Sequence, residues 1–189
     1  MNAGAARVGG GCAGASGGEG SPRLVSRSGL VGVGLVFIST FEKQLDAKRR
    51  IVAPIEYRTA VAPFDGLFCF PSVEADCIEG GGRALFDSYC ALIDEYPFGD
   101  PARTALETSV LGGMVQLSFD TAGRITLPES FCELFGLSEW VTVVGLGNRF
   151  QIWSREAFRA RGQQQRETAQ QALLARARLR VHPPAAANE

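Results

Sequence analysis

The chain has 189 residues, 46% of them apolar, and a net charge of −1, so it is long enough for one domain or two small ones. This balance neither favours nor excludes nucleic acid, and any basic face must be local. His182 is the only histidine, which excludes histidine-based catalytic triads and disfavours most catalytic zinc sites. The five cysteines form no CxxC pair and indicate reduced, structural thiols in a cytosolic protein.

The first 35 residues differ in composition from the rest of the chain. They are rich in Gly, Ala and Ser and lack hydrophobic periodicity, which is typical of disorder. The apolar stretch at 30–38 is interrupted by Gly32 and Gly34, so it predicts neither a signal peptide nor a membrane span. We expect residues 1–35 to be a flexible tail or the product of an over-extended reading frame.

From residue 36 onward, the pattern alternates short strands with short helices. The predicted strands are 36–45, 51–53, 67–70, 114–119, 125–127, 140–144 and 149–153. The predicted helices cover 55–61, a stretch around 85–93, one capped by Asp100, one around 131–135, and one capped by Ser154 that runs to about Val181. Residues 72–82 are ambiguous because of their glycines. The last helix carries seven Arg against two Glu, and its polar side is either solvated or an auxiliary contact to DNA or another subunit.

One ten-residue pattern occurs twice. Residues 45–54 read LDAKRRIVAP and residues 119–128 read FDTAGRITLP, so Asp, Arg, Ile and Pro recur at an offset of 74 residues. Asp favours turns because its side chain can bond the backbone two residues on, and Pro is suited to the first turn of a helix. Each copy therefore predicts a strand, a tight turn, a second strand and a helix, with one Arg directly after the turn. A repeat of this kind constrains the whole fold.

These residues, together with GLGNRFQIWS near the end, resemble the MraZ family of bacterial transcriptional regulators, over about residues 37–165. The resemblance implies an α+β fold: two tandem swapped-hairpin repeats of the SpoVT/AbrB type, packed as a pseudo-dimeric barrel, with short helices and a C-terminal helix. The implied organisation is repeat 1 at 36–87, a helical connector at 88–113, repeat 2 at 114–157, and a C-terminal helix and tail at 158–189.

The resemblance also implies a function. Family members carry a DxxGR turn motif whose Arg lies at the DNA, and it maps onto Asp46 to Arg50 and Asp120 to Arg124. We expect a ring-like homo-oligomer that binds direct repeats in promoter DNA of the division and cell-wall gene cluster. The expected location is cytoplasmic and nucleoid-associated, without a membrane partner, and no cofactor, metal or catalytic residue is expected.

The candidate DNA-binding residues are Lys48, Arg49, Arg50 and Arg124. We expect phosphate contacts from the first two and base contacts from the last two. The turn-shaping residues are Asp46, Asp120 and Gly123. The chain departs from the motif at Arg49, which replaces a glycine; a β-carbon at positive φ costs about 1 kcal/mol, so we expect a strained or reshaped turn there.

Other interpretations of these residues remain. The basic tip, joined loosely by Lys43 and Arg58, could be a solvated turn whose Arg pairs with the Asp four residues back. The two Asp residues lack the partners that acid–base catalysis needs. The GLG sequence at 145–147 predicts a hairpin turn rather than a phosphate loop, and Trp140, Phe150 and Trp153 predict core or subunit interface. The alternative function is that of a non-enzymatic, antitoxin-like protein-interaction module.

Overall fold

The computed structural model describes residues 37–61 and 66–181, with the side chains of 178–181 left aside. The predictions for residues 1–35, for Cys12 and for the tail that holds His182 lie outside the described residues. The strands are β1 Thr40–Gln44, β2 Arg50–Val52, β3 Leu67–Pro71, β4 Ile78–Gly81, β5 Val115–Leu117, β6 Arg124–Thr126, β7 Trp140–Gly145 and β8 Phe150–Ser154. The helices are α1 Ile55–Val61, α2 Arg83–Asp94, α3 Pro101–Leu106, α4 Glu129–Leu134 and α5 Arg155–Val181. A π-helical turn, Glu107–Leu111, continues α3.

The strands form a six-stranded antiparallel sheet in the order β1-β7-β8-β4-β3-β5 and a separate ribbon of β2 and β6. The predicted α+β class is confirmed. The predicted barrel is wrong, because the described strands leave β1 and β5 as the two edges of an open sheet. The barrel does not close because β2 and β6 pair with each other instead of joining the edges of the sheet.

The strand pairing follows the 74-residue offset found in the sequence. Lys43 lies opposite Val141 in the β1–β7 pair. Moving each by 74 residues gives Leu117 and Leu67, and these two residues lie opposite each other in the β3–β5 pair. Each half of the chain thus pairs its strands with the other half in the same register.

Two sequence predictions at strands need correction. The predicted first strand at 36–45 is interrupted at Ser39, which has φ 70°, so β1 begins at Thr40 and Phe37 makes only an isolated bridge to Gly147. The ambiguous stretch at 72–82 contains β4. Its glycines fit a close approach of strands, since a Cβ on Gly80 would lie 2.8 Å from Cys69 Sγ.

The main core lies between the sheet and the ribbon. It includes the buried ribbon residues Ile51 and Ile125, and an aromatic group in which Tyr57 contacts Phe37 and Phe150 with ring centroids 4.8 and 5.5 Å away. These contacts join α1 to both halves of the sheet. Phe150 and Trp153 are buried as predicted, whereas Trp140 is 39% exposed.

The C-terminal helix starts as predicted, with the backbone N–H of Ala157 donating to Ser154 Oγ at 3.2 Å. Arg155 and Arg159 pair with Glu42 on β1. The helix is exposed to solvent from Gln163 to Ala177. The predicted divisions at 87/88 and 157/158 fall inside α2 and α5, and the domain boundaries stay predictions.

A buried carboxylate joins the two halves. Glu79 on β4 is fully buried and accepts hydrogen bonds from Tyr89 Oη at 2.9 Å, Ser72 Oγ at 3.2 Å and Arg149 Nη1 at 3.1 Å. Arg149, 70 residues further along the chain, is the cation that balances its charge. A buried charge without its partner is strongly destabilising.

We therefore predict that Arg149→Ala lowers the free energy of unfolding by about 3–5 kcal/mol, because Glu79 stays buried without its cation. Urea denaturation followed by circular dichroism measures the change. Arg83→Ala is the control: the Arg83–Asp87 pair is exposed, and such pairs contribute about 0–1 kcal/mol. Equal, small losses in both variants would contradict this assignment.

Candidate nucleic-acid interface

The first turn is built around the carboxylate of Asp46. Its Oδ1 accepts the backbone N–H groups of Lys48 and Arg50, each at 2.9 Å. Its Oδ2 accepts Arg50 Nε at 2.8 Å and pairs with Nη2 at 2.7 Å. The turn is closed by Arg49 N–H, which donates to the Asp46 carbonyl at 2.8 Å. One side chain thus fixes both the turn and the orientation of the guanidinium that follows it.

The second turn repeats this geometry. Asp120 Oδ1 accepts the N–H groups of Ala122 at 2.9 Å and Arg124 at 2.8 Å, and Oδ2 accepts Arg124 Nε at 2.7 Å. The N–H of Gly123 donates to the Asp120 carbonyl at 2.9 Å. Asp120 and Gly123 thus make the same hydrogen bonds in the second turn as Asp46 and Arg49 make in the first, and the turn-shaping roles of Asp46, Asp120 and Gly123 stay predictions.

These hydrogen bonds stabilise the charged forms of the groups involved. The side-chain and backbone hydrogen bonds from Arg50 lower the pKa of Asp46 to about 2. Backbone and side-chain hydrogen bonds from Arg124 lower the pKa of Asp120. The pKa of Arg50 is raised, first by its hydrogen bond to Asp46 and in part by the charge of Asp120 in the other turn.

The third turn position differs between the copies. Arg49 has φ 58° and Gly123 has φ 72°, so an arginine adopts the left-handed conformation that the motif gives to glycine. The turn keeps its shape and is therefore strained rather than reshaped. The Arg49 side chain lies toward α4, where Nη1 is 3.6 Å from Glu129 Oε1, and its buried Nε has no hydrogen-bond partner.

The β2–β6 ribbon joins the two turns: because its strands are antiparallel, each turn lies at one end of the ribbon, next to the last residue of the other strand. Ile51 lies opposite Ile125 at its centre, and both are buried. The backbones also exchange hydrogen bonds: Leu127 N–H donates to the Arg49 carbonyl at 2.8 Å, and Ala53 N–H donates to the Gly123 carbonyl at 3.1 Å. The ribbon therefore fixes the position of one turn relative to the other, close enough for the charge of Asp120 to act on Arg50.

Neither guanidinium of the repeated motif is enclosed by the fold. The side chains of Arg50 and Arg124 are 28% and 34% exposed, and Lys48 is exposed. Each Asp–Arg pair is electrically neutral, so the excess positive charge at the first turn comes from Lys48 and Arg49. The phosphate contacts of Lys48 and Arg49 and the base contacts of Arg50 and Arg124 stay predictions.

Arg58, which the sequence analysis joined only loosely to the basic tip of the first turn, contacts the second turn. It lies on α1, and its side chain covers Gly123 of the second turn: a Cβ built on Gly123 would lie 2.6 Å from Arg58 Cζ. The repeat contained a usable signal, since Arg58 follows Arg50 by eight residues, as Cys132 follows Arg124. This difference between the copies marks Arg58 for attention, but the structure is needed to show that it contacts the turn of the other half.

Within 37–61 and 66–181, no cluster of three or more His, Cys, Asp or Glu side chains is arranged to hold a metal ion. No helix in the same residues combines the length and apolar character that crossing a bilayer requires. Cys69, Cys77, Cys90 and Cys132 are free thiols, and burial raises the pKa of Cys69 to about 12.

The fold and the site define a class of α+β proteins with two copies of a strand–turn–strand–helix unit, whose Asp–Arg turns are joined in one ribbon. A family model described as "MraZ protein, putative antitoxin-like" matches residues 110–181. The chain is 70% identical over 152 residues to a protein of Phenylobacterium zucineum, covering 80% of this chain and 93% of that one.

More distant relatives agree. A protein of Caulobacter vibrioides is 68% identical over 141 residues, covering 74% of this chain and 90% of its own length. One of Azorhizobium caulinodans is 39% identical over 137 residues, covering 71% and 87%. All three are named "Transcriptional regulator MraZ". The chain belongs to the MraZ family, as its sequence motifs predicted.

The two third-position residues give opposite predictions for stability. Gly123→Ala should lower the free energy of unfolding by about 1–2 kcal/mol, because an L-residue is strained at positive φ and its Cβ would overlap Arg58. Arg49→Gly should raise it by up to about 1 kcal/mol, because glycine relieves that strain. Thermal and urea denaturation measure both. A loss of stability in Arg49→Gly would show that the contacts of this side chain outweigh the strain.

The low pKa of Asp46 predicts a pH dependence. A carboxylate with a depressed pKa contributes stability above the unfolded-state value of about 3.9 and loses it as the pH falls through its folded value of about 2. The wild type should therefore lose stability between these pH values. Asp46→Asn should be less stable at pH 7 and show a smaller loss on acidification; denaturation curves at pH 7, 4 and 2.5 measure it. Parallel pH profiles would contradict the role of the Asp46 carboxylate.

Proposed function

We propose that this protein is a DNA-binding transcriptional regulator that performs no chemical reaction. The observation that carries the proposal is the pair of Asp–Arg turns held at the two ends of one short ribbon, β2 and β6. Lys48 and Arg49 add positive charge to this surface, and a cationic surface attracts the phosphates of DNA. The names of the relatives support regulation of transcription.

The two kinds of cation take different roles in this proposal. Lys48 and Arg49 bind phosphates, which gives affinity and position without reading sequence. Arg50 and Arg124 are held rigid by Asp46 and Asp120. Arg124 turns Nε toward its carboxylate, and Arg50 turns both Nε and Nη2 toward its own. In this proposal the remaining N–H donors are directed to base edges in the major groove, where Arg reads guanine. The rigid turn limits the entropy lost on binding.

We further infer that residues 36–87 and 114–157 form two swapped-hairpin repeats related by a pseudo-two-fold axis. The shared register of the β1–β7 and β3–β5 pairs supports this arrangement. Two related turns on a ribbon then approach a duplex together, as one unit.

A single unit offers few contacts, so the proposal includes a ring-like homo-oligomer. Several units bind several direct repeats in a promoter at once, and linkage of this kind raises avidity by about 10²–10⁴ without new contacts. The resemblance to the family points to the promoter of the division and cell-wall gene cluster. This function places the protein in the cytoplasm, at the nucleoid.

The alternative is an antitoxin-like protein-interaction module, and one structural feature favours it. A cavity of about 450 Å³ lies beside α5 and is lined in part by Leu146, Trp153, Phe158 and Arg161. Apolar and aromatic side chains around a few polar groups are typical of a surface that binds a protein segment. Co-purified protein bound here, together with no affinity for promoter DNA, would support this alternative.

The experiment is a fluorescence anisotropy titration of the full chain with duplex DNA from upstream of its own gene. Arg50→Ala and Arg124→Ala should abolish specific binding, because each removes a positioned guanidinium, and should leave the sedimentation mass unchanged. Affinity of the wild type should fall steeply with salt.

Arg83→Ala is the matched control, since Arg83 lies on α2 and pairs with Asp87. It should bind like the wild type. Undiminished binding by Arg50→Ala, Arg124→Ala and the double variant would refute the assignment of these residues. Absence of wild-type binding would refute the DNA-binding function itself.

A further inference from the structure

The two turns differ in the charge of their own residues. In both, the Asp–Arg pair is neutral. The first turn adds Lys48 and Arg49, whereas the corresponding positions of the second turn hold Ala122 and Gly123. Judged from its own sequence, the second turn has no excess cation with which to hold a phosphate.

A cation from the other half of the chain lies at the second turn. Arg58 extends from α1 over Gly123, which is buried beneath it. A Cβ built on Gly123 would lie 2.6 Å from Arg58 Cζ and 2.9 Å from Cδ. The guanidinium of Arg58 thus occupies the space that a side chain of the turn residue itself would need.

At the first turn, the sizes of the turn residue and of the facing helical residue are reversed. There the turn residue is large, Arg49, and the helical residue at the position equivalent to Arg58 is small, Cys132. The charge of Arg49 acts on the Cys132 thiol, partly opposing the rise that burial causes in its pKa. At each turn, therefore, one guanidinium lies between the turn and the helix of the other half. The turn residue Arg49 supplies it at the first turn, and the helical residue Arg58 supplies it at the second.

Arg58 differs from the neighbouring arginines in its lack of an anion. Arg50 and Arg124 have Asp partners, and Arg49 is 3.6 Å from Glu129. In the described part of the chain, no carboxylate forms an ion pair with Arg58, and its buried Nε has no hydrogen-bond partner. The half-buried side chain leaves part of the residue open to solvent. A guanidinium without an anion beside a proposed DNA surface is suited to a phosphate oxygen, which would be bound through the Nη groups because Nε is buried.

We propose that Arg58 is the phosphate-binding residue of the second turn, acting there as Lys48 and Arg49 act at the first. The inference rests on the proposed DNA-binding function and adds a residue that the repeated motif does not contain. It makes each half of the chain contribute to both turns: α1 of the first half provides the cation for the turn of the second.

The test compares the salt dependence of binding in the wild type and in Arg58→Ala, by anisotropy titration with the upstream duplex. One phosphate contact contributes about 0.9 to the slope of log K against log salt. Arg58→Ala should therefore reduce the slope by about that amount per bound subunit and weaken binding on the order of tenfold at 0.1 M salt. Arg83→Ala, as control, should keep the wild-type slope.

A second variant tests the position of the charge. Arg58→Ala combined with Gly123→Arg moves the arginine from helix to turn, as in the first half, where Arg49 tolerates a positive φ. This double variant should recover the wild-type slope. Arg58→Gln, which keeps most of the side-chain packing, replaces Arg58→Ala in the comparison if circular dichroism shows that the alanine variant unfolds.

The outcomes separate the two proposals. If the wild type binds and Arg58→Gln keeps its slope and affinity, the inference about Arg58 is overturned and the DNA-binding function stands. If Arg58 variants lose the slope but the relocated arginine does not recover it, the equivalence of the two arrangements is overturned. If the wild type does not bind the duplex, the function fails, and the role of Arg58 fails with it.

Discussion

The structure depends on one carboxylate in each half, which serves two purposes at once. Asp46 accepts two backbone N–H groups of its turn and the guanidinium of Arg50, and Asp120 does the same for Arg124. Charge-assisted hydrogen bonds of this kind are short and strongly directional. Because the same side chain shapes the turn and holds the arginine, the arginine cannot move independently of the backbone. The cost of this rigidity is neutralisation of the arginine, so excess charge must come from other residues.

The second constraint is the ribbon that joins the turns. A strand of three residues has too few hydrogen bonds to persist alone, and β2 and β6 each have three. They are stable because they pair with each other and bury Ile51 and Ile125 against the sheet. Each half thus needs the other to complete its turn, and the two turns are obliged to lie together. The surface proposed to bind DNA is a direct consequence of the packing that stabilises the fold.

The repeat explains how much of this could be predicted from the sequence. Local chemistry predicted the two turns, since Asp acts on the residues that directly follow it, and the structure has both turns. Pro54 and Pro128 directly precede α1 and α4 instead of lying in their first turns. Long-range features were not accessible. The barrel, which the family resemblance implied, was wrong because the resemblance does not show which strands form the edges of the sheet in this chain. β4 was missed because its glycines are explained only by the approach of Phe150 and Cys69 from other strands. Arg58 was undervalued because its contact to Gly123 joins the two halves.

At one turn the arginine comes from the turn (Arg49) and at the other from the facing helix (Arg58). Two copies of a motif can thus diverge in sequence while each keeps an arginine at its turn. The space between a turn and its facing helix admits one large side chain, and either element can supply it. With Arg58 present, the turn favours glycine, because a Cβ there would overlap the guanidinium and force it to shift. With Cys132 on the helix, the turn has room for Arg49 despite the strain of its positive φ. In the second copy, glycine at the third turn position is favoured both by the positive φ and by the space that Arg58 occupies. In the first copy the helix leaves room for a side chain, and only the strain of the positive φ opposes Arg49.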